Sequence, residues 1–456
     1  MKPPSTPHDK GISRRAFIGT STTALAAFAI LPSRSVAGGR RMPPTEKLNI
    51  AGIGFGGRGA DDLAELKNEN IVALCDVDWD YAGRIFTQFP KAAKYKDFRV
   101  MLEKEKGIDA VVIATPDHTH AITSITAMKH GKHVYCEKPL TRTVKEARLV
   151  AQTARETGVA TQMGNQGMAF ETNRVLKEWL ADGVIGAIRE VHVWSDRPTH
   201  KGKPPLWWPQ GVERPTDTTP PPASLDWDLW LGPAAKRPYH PSWGHFKWRG
   251  WWDFGSGGIG DMGIHNVAPV FSALKLTAPS SVHASSTPVY PDSVPLACTV
   301  HYDFPARDGM PPVKLHWYDG GLLPARPDEL ADDLDMDAED GVIFVGEKGK
   351  LLMEGWGGQH LRLLPESLNK DYKRPPKTLP RSVGHHQEWV DACKSGSPTQ
   401  SNFEFAGPLT EALLLGSLCV RRGGEKLLWD AAAMKVSNVA EANALLHYNY
   451  REGWTL

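Results

Sequence analysis

The chain reads as an α/β protein, with an N-terminal Rossmann-type doubly wound parallel sheet followed by a C-terminal α+β domain built on a large, mainly antiparallel open sheet. Three observations predict this. Between residue 47 and about 165, short apolar runs alternate with amphipathic helical segments. The first of those runs opens directly into glycines at G-x-G-x-x-G spacing. Beyond about residue 280 the pattern changes to alternation over short segments, as in strands with one wet face, before helical patterns close the chain.

Residues 1–40 read as a leader and not as part of the fold. Ser13-Arg14-Arg15-Ala16-Phe17-Ile18 precedes an apolar stretch, Thr22 to Leu31, that is too short to span a bilayer as a mature helix. Ser35-Val36-Ala37 then offers a small-residue cleavage site. Together these resemble a twin-arginine export signal, which makes the periplasm the expected location. The 456 residues and 41% hydrophobic content suffice for two domains with full cores. With 53 basic residues against 52 acidic ones, nothing draws the chain to nucleic acid or anionic lipid, and no stable membrane insertion is expected. Small neutral partners fit better. The five cysteines show no metal-ligand spacing, so no metal is expected, and Cys75 and Cys136 fall in strands as small core residues.

The nucleotide half, residues 45–165, is predicted to carry strands at roughly 48–53, 70–75, 109–114, 133–136 and 159–163. After the first, Gly52 permits the tight turn, Gly54 lets the backbone approach a pyrophosphate, and Gly57 lets helix and strand pack closely. The helix that follows offers free N–H groups to phosphate. Phe55, Gly56 and Arg58 complete the turn. Asp76, nineteen residues beyond Gly57, stands where a carboxylate accepts from a ribose diol and repels a 2′-phosphate; Val77 supplies no cation, so NAD is favoured over NADP. Two further strands end in polar clusters, Thr115-Pro116-Asp117-His118-Thr119-His120 and Glu137-Lys138-Pro139. Carboxyl ends of strands border the ligand crevice, which makes Thr115, Pro116, His118, His120, Glu137, Lys138 and the later Asn165 candidate cofactor contacts.

Residues 166–456 are expected to bind substrate and to oligomerise. Residues 197–253 form a Pro- and Trp-rich insertion; nine of the 16 tryptophans lie between Trp194 and Trp252, too many large aromatics for an unpacked linker. Most should be insertion core, with two or three facing a ligand, since aromatic faces pack on the C–H faces of sugar rings. Gln166, Arg249, Trp251, Trp252 and Asp253 are candidate substrate contacts. Strands are predicted at about 282–290, 296–303, 313–318, 341–346, 350–354 and 360–364, an acidic exposed loop at 326–340, and helices at 384–395 and 406–422. An open sheet face makes a homo-oligomer, dimer or tetramer, the expectation.

Asp261 and His265 lie in G-D-M-G-I-H-N, four residues apart, which on a helix shares one face. Such a pair could be a structural contact, or an imidazole base with a carboxylate to orient it. Taken together, G-I-G-F-G-G, A-T-P-D-H-T-H, H-V-Y-C-E-K-P-L and G-D-M-G-I-H resemble the Gfo/Idh/MocA oxidoreductase family over essentially all of the chain after the leader, down to the closing Tyr450-Arg451-Glu452-Gly453-Trp454. The resemblance implies catalytic roles for Lys138, Asp261 and His265: His265 as base, Asp261 orienting it, and Lys138 stabilising the developing alkoxide. These three also belong to the substrate contacts it implies.

An exported dehydrogenase meets no free NAD pool, so its cofactor must stay tightly bound and be reset on the enzyme. The chain could oxidise one sugar and reduce another, pass electrons to an external acceptor, or oxidise, eliminate and reduce one molecule, as NAD-dependent glycosidases resembling this family do. Oxidation of a secondary hydroxyl of a sugar or glycoside, the 3-OH by analogy with related exported members, is the leading expectation. A sugar- and NAD-binding protein without turnover is the alternative of another class, which the intact Lys138, Asp261 and His265 set disfavours.

Overall fold

The computed structural model describes residues 46–456. The leader read in residues 1–40, with Arg14 and Arg15, lies outside the described residues. Six parallel strands form the first sheet: β1 (Asn49–Ile53), β2 (Asn70–Cys75), β3 (Ala93–Tyr95), β4 (Ala110–Ile113), β5 (His133–Glu137) and β6 (Thr161–Gly164). Their order is β3-β2-β1-β4-β5-β6. Every residue of β4 is buried, as a strand covered by helices on both faces requires. The strand order reverses between β1 and β4, and the crevice at that switch point is where open α/β sheets bind ligands. Gly54, Asp76, Thr115 and Lys138 follow β1, β2, β4 and β5 into it. Strand β3, three residues long, is too short to show a period and was not foreseen. Flanking helices obey their end signals: Val144–Thr157 opens on a capping box of Thr143 and Glu146 and closes on left-handed Gly158.

The second sheet has nine strands, β7 (Ile188–Ser195), β8 (Ser281–Ser286), β9 (Cys298–Phe304), β10 (Val313–Tyr318), β11 (Asp340–Gly346), β12 (Lys350–Glu354), β13 (His360–Leu364), β14 (Leu427–Asp430) and β15 (Lys435–Val436). They run in the order β13-β12-β11-β7-β10-β9-β8-β14-β15, and within it only β7 and β10 pair in parallel. The fold class is the expected one. Strand β8 stops at Ser286, not 290, and β7, β14 and β15 add to the expected set.

Helix Phe403–Arg421 lies against one face of this sheet and against helix Val144–Thr157. It is long and apolar enough to cross a membrane, but 83% of its apolar window is buried inside the protein, so it serves as a core helix. On the other face Leu330, Leu334 and Met336 pack with Trp194, Ile343, Leu352 and Leu364. The 326–340 segment is therefore only partly the exposed loop its acidity suggested: its apolar residues cover the half of the sheet around β11 and β12.

The insertion folds around its own core of Leu225, Trp230, Leu231, Trp243, Trp248, Trp251 and Phe254. Two of its indoles find acceptors, Trp227 Nε1 donating to Arg237 O at 2.8 Å and Trp251 Nε1 to Ser242 O at 2.8 Å, while Trp243 Nε1 is buried without one. The unit is sewn onto the first sheet where β2 ends, by the Asp78–Leu225 bridge, by Asp226 N donating to Val77 O at 2.9 Å, and by Lys96 Nζ donating to Ser224 O at 3.2 Å.

Candidate active site

A cavity of about 500 Å³ runs from the glycine turn to Asp261 and is lined by residues of both sheets and of the insertion. Gly54, Gly56, Gly57, Arg58, Asp76, Thr115, Pro116 and Glu137 line one end; Lys138, Gln166, Arg249, Asp261 and His265 line the other. The glycine edge has the closeness a pyrophosphate cradle needs. Gly54 has φ +76, and a Cβ there would fall 2.8 Å from Thr115 Cγ2 and 2.9 Å from its nitrogen. Gly57 caps helix Arg58–Glu65 with no side-chain partner for the first free N–H groups. Arg58, held by Asp62 at 3.3 Å and Glu137 at 3.6 Å, presents a half-exposed guanidinium to the same space. Burial pushes both of those carboxyls up to about 7, against the pull of Arg58.

Asp76 lines the cavity with 8% of its surface exposed. Its oxygens accept from Phe55 N at 2.9 Å and Asp78 N at 3.0 Å, which fixes the carboxylate at the mouth of β2. Tyr81, unforeseen, covers the turn so closely that a Cβ on Gly56 would lie 1.9 Å from its ring. Its ring stacks on that of His245 at 3.7 Å, and His245 Nε2 contacts Asp78 Oδ2 at 2.9 Å. The nucleotide end fits a dinucleotide: backbone N–H groups and Arg58 for the phosphates, and a carboxylate in the ribose position with no cation on Val77.

At the opposite end Lys138 Nζ donates to Asp261 Oδ1 at 2.6 Å and to Asp261 O at 2.9 Å, and Arg249 Nε donates to the same Oδ1 at 3.0 Å. Burial alone would raise the Asp261 carboxyl, but these two cations hold it well below the usual range. Asp261 sits in a π-helical turn, Ile259–Gly263, that runs into helix Ile264–Ala273. The expected contact between Asp261 and His265 is absent among the described residues, because Lys138 and Arg249 hold the carboxylate instead. His265 packs edge-on against Trp356, ring centroids 5.0 Å apart, with Nδ1 sealed off and unpartnered. Burial first, then the Lys138 charge, drives its pKa well below the ordinary value, so the ring is neutral.

Several candidates lie elsewhere. His118 is fully buried, its Nε2 on Trp230 O at 3.0 Å, and burial lowers its pKa to about 3. His120 faces Pro139 O and Thr115 O, each at 2.7 Å, so it braces together the two loops that deliver Thr115 and Lys138 and does not itself reach the cavity. Gly52 lies beneath the turn against Leu63, and Phe55 packs on Phe86. Asn165 is buried with both amide atoms unpartnered. Trp251 and Trp252 are core residues, 1% and 5% exposed, and Asp253 pairs with Arg237. Besides Tyr81, Phe98 and His245, the aromatics that do line the cavity are Trp207, Trp230, Phe246, Trp248, Trp356 and Trp454. Tyr81 could have been found from its place just past Asp76; Trp356, in the turn after β12, gives no local signal.

A family model described as "Oxidoreductase family, NAD-binding Rossmann fold" matches residues 48–165, and its companion, "Oxidoreductase family, C-terminal alpha/beta domain", matches 173–311. An inositol 2-dehydrogenase of Rubrobacter xylanophilus is 31% identical over 148 residues, covering 31% of this chain and 42% of that protein. A glycosyl hydrolase family 109 protein of Stenotrophomonas maltophilia is 37% identical over 161 residues, covering 32% of this chain and 34% of that protein. The matches thus span well under half of the length of these curated relatives. The same fold is seen in an inositol dehydrogenase homolog from Azotobacter vinelandii, solved with NADH and myo-inositol, at TM-score 0.54 and 18% identity over 86% of this chain and 99% of that one. The chain belongs to the Gfo/Idh/MocA oxidoreductase family and carries that family's NAD-binding Rossmann domain.

Proposed function

We propose that this chain oxidises a secondary hydroxyl of a sugar or glycoside, using an NAD that it retains. The observation that carries this reading is Lys138, Asp261, Arg249 and His265 gathered at one end of a cavity whose other end is the glycine turn and Asp76. Bound along that cavity, NAD supplies the acceptor for the hydride that leaves the carbinol carbon. The neutral His265 imidazole takes the hydroxyl proton as the carbonyl forms. An ammonium has three N–H groups; Asp261 holds two of those on Lys138 and leaves one for the substrate oxygen, where negative charge develops. Asp261 and Arg249 fix the Lys138 head, so Asp261 acts as a positioning group for the lysine.

The likeness to glycosyl hydrolase family 109 proteins favours a second reading, in which oxidation at the 3-OH acidifies the neighbouring C–H, the aglycone is eliminated, water adds across the resulting double bond, and the ketone is reduced again. Mass spectrometry of products from a panel of glycosides tests both: a keto sugar supports net oxidation with an external acceptor, a free sugar supports hydrolysis, and no product from any member overturns both. Export to the periplasm by the twin-arginine route and assembly into a homo-oligomer belong to the same proposal. Substituting Arg14 and Arg15 by Lys should then leave the protein in the cytoplasm, and its normal appearance in a periplasmic extract would remove the export reading.

A further inference from the structure

Two large aromatic side chains of the insertion, Trp207 and Phe246, are 41% and 42% exposed and both line the cavity. Their rings lie 6.2 Å apart, centre to centre, and are inclined at 49°. Phe246 has φ +67, a left-handed conformation that an aromatic residue seldom adopts and that costs conformational energy. The surrounding structure over-determines it. Arg249 lies over the Phe246 ring at 4.2 Å and donates from Nη1 to Phe246 O at 3.2 Å, while its Nε holds Asp261. One guanidinium therefore fixes the aromatic wall relative to the Lys138–Asp261 pair. Trp207 is likewise held, by the stacked His200 ring at 4.3 Å and the Arg197 guanidinium at 4.7 Å. Arg197 and the half-exposed carboxylate of Glu339 also line the cavity and bring polar groups to the apolar wall.

A flat apolar face beside charged hydrogen-bonding groups complements a pyranose ring, which has C–H faces and a hydroxyl perimeter. Arg197, paired with Asp196, and Glu339, paired with Lys201 at 3.0 Å, each keep further donors or acceptors for ring hydroxyls. On the reading that Lys138 and His265 act on one sugar ring, we propose that Trp207 and Phe246, with Arg197 and Glu339, form a subsite for a second sugar ring, so that the substrate is a disaccharide or longer glycan. A strained, solvent-facing aromatic earns its place through a ligand more readily than through packing.

Calorimetric titration of the NAD-loaded protein with cellobiose, maltose, lactose and N,N′-diacetylchitobiose, each against the methyl glycoside of its non-reducing ring, tests this. At least one disaccharide should bind about tenfold more tightly than its methyl glycoside. Trp207→Ala and Phe246→Ala should each weaken that disaccharide about tenfold more than the methyl glycoside. Phe246→Gly should lose the same preference yet keep its Tm, because glycine accepts φ +67 without strain; this separates loss of the subsite from loss of the fold. Equal affinities for both ligand sets, uniform weakening in the variants, or no binding of any probe overturns the subsite. Absorbance of NADH at 340 nm reads the chemistry independently, so sugar oxidation without disaccharide preference leaves the oxidoreductase reading standing while the subsite falls.

Discussion

His265 must be neutral to accept a proton, and its burial beside the Lys138 charge keeps it so. Replacing it by alanine should leave NAD bound and lower the single-turnover rate of NAD reduction by about 10²–10⁴, the usual worth of a positioned base. Lys138→Ala should forfeit about 2.7–4 kcal/mol of transition-state stabilisation, and the double variant should lose far less than the sum, since both groups act on one oxygen. Wild-type rates in both single variants would move the chemistry elsewhere. Asp117 offers a pH test of a different kind. It is fully buried with Oδ1 unpartnered, and burial, opposed by Arg249 and Lys138, pushes its pKa from 3.8 to about 8. A carboxyl with a raised folded pKa holds a proton that the unfolded chain has lost, so the fold loses stability as pH climbs from 3.8 to about 8. Asp117→Asn abolishes that loss: its Tm advantage over wild type should grow between pH 4 and pH 8 and then level off, and a difference independent of pH would show that Asp117 is ionised in the fold. Of these residues, Lys138, Asp261 and His265 were legible in the sequence as types at a spacing. Their wiring was not, because the partners of Asp261 come from β5 and the insertion, 123 and 12 residues away.

Elements repeat this lesson at a larger scale. Strands β1, β2, β4 and β5 announce themselves as buried, largely apolar runs between helices, whereas β7 and β14 stand apart from the other strands of their sheet in sequence and draw their stability from pairing with distant partners. The insertion was readable as ordered from its tryptophans, but which of them face a ligand depends on where the unit docks. It docks over the nucleotide end: His245 joins Asp78 and stacks on Tyr81, while Arg451 ties the closing segment to Gly232 and Asp228. Trp454 lies against Phe98 and under the Arg99 guanidinium at 4.1 Å. Tyr81, His245, Phe98 and Trp454 line the part of the cavity beyond Asp76, where they would slow the release of the NAD proposed to be retained. A hydrogen bond to a charged group contributes about 1.5–3 kcal/mol, so His245→Ala should release NAD roughly tenfold faster or more. Displacement of bound NAD by a fluorescent etheno analogue measures that rate, and an unchanged rate would mean that His245 does not gate release.

Across the whole molecule, the half of the large sheet that the 326–340 segment leaves uncovered carries a row of imidazoles. His283, His301, His316 and His192 neighbour one another across β8, β9, β10 and β7, with ring centroids 4.6, 4.7 and 5.0 Å apart in turn. Glu190 meets His316 at 3.1 Å and His192 at 3.3 Å, and Tyr318 OH meets His192 Nδ1 at 3.0 Å. His301 and His316 approach through their Nδ1 atoms at 2.5 Å, a contact that requires one of the two nitrogens to be without hydrogen. Burial, and then the other imidazoles, bring His301 down to about 4, and burial likewise lowers His316 and His192. His301, His316 and His192 are therefore neutral at pH 7, and this face suits the meeting of a second copy in the proposed homo-oligomer. Protonation is disfavoured in the covered state and free in the exposed one, so acidification from 6.5 toward 4 should drive subunits apart. Light scattering coupled to size exclusion should give a dimer or tetramer at pH 8 and smaller species at pH 5. His316→Arg, which places a permanent charge at the centre of the row, should dissociate the assembly already at pH 8 while leaving far-UV circular dichroism unchanged. A monomer at every pH, or an oligomer indifferent to both acid and the arginine, would assign this face to solvent.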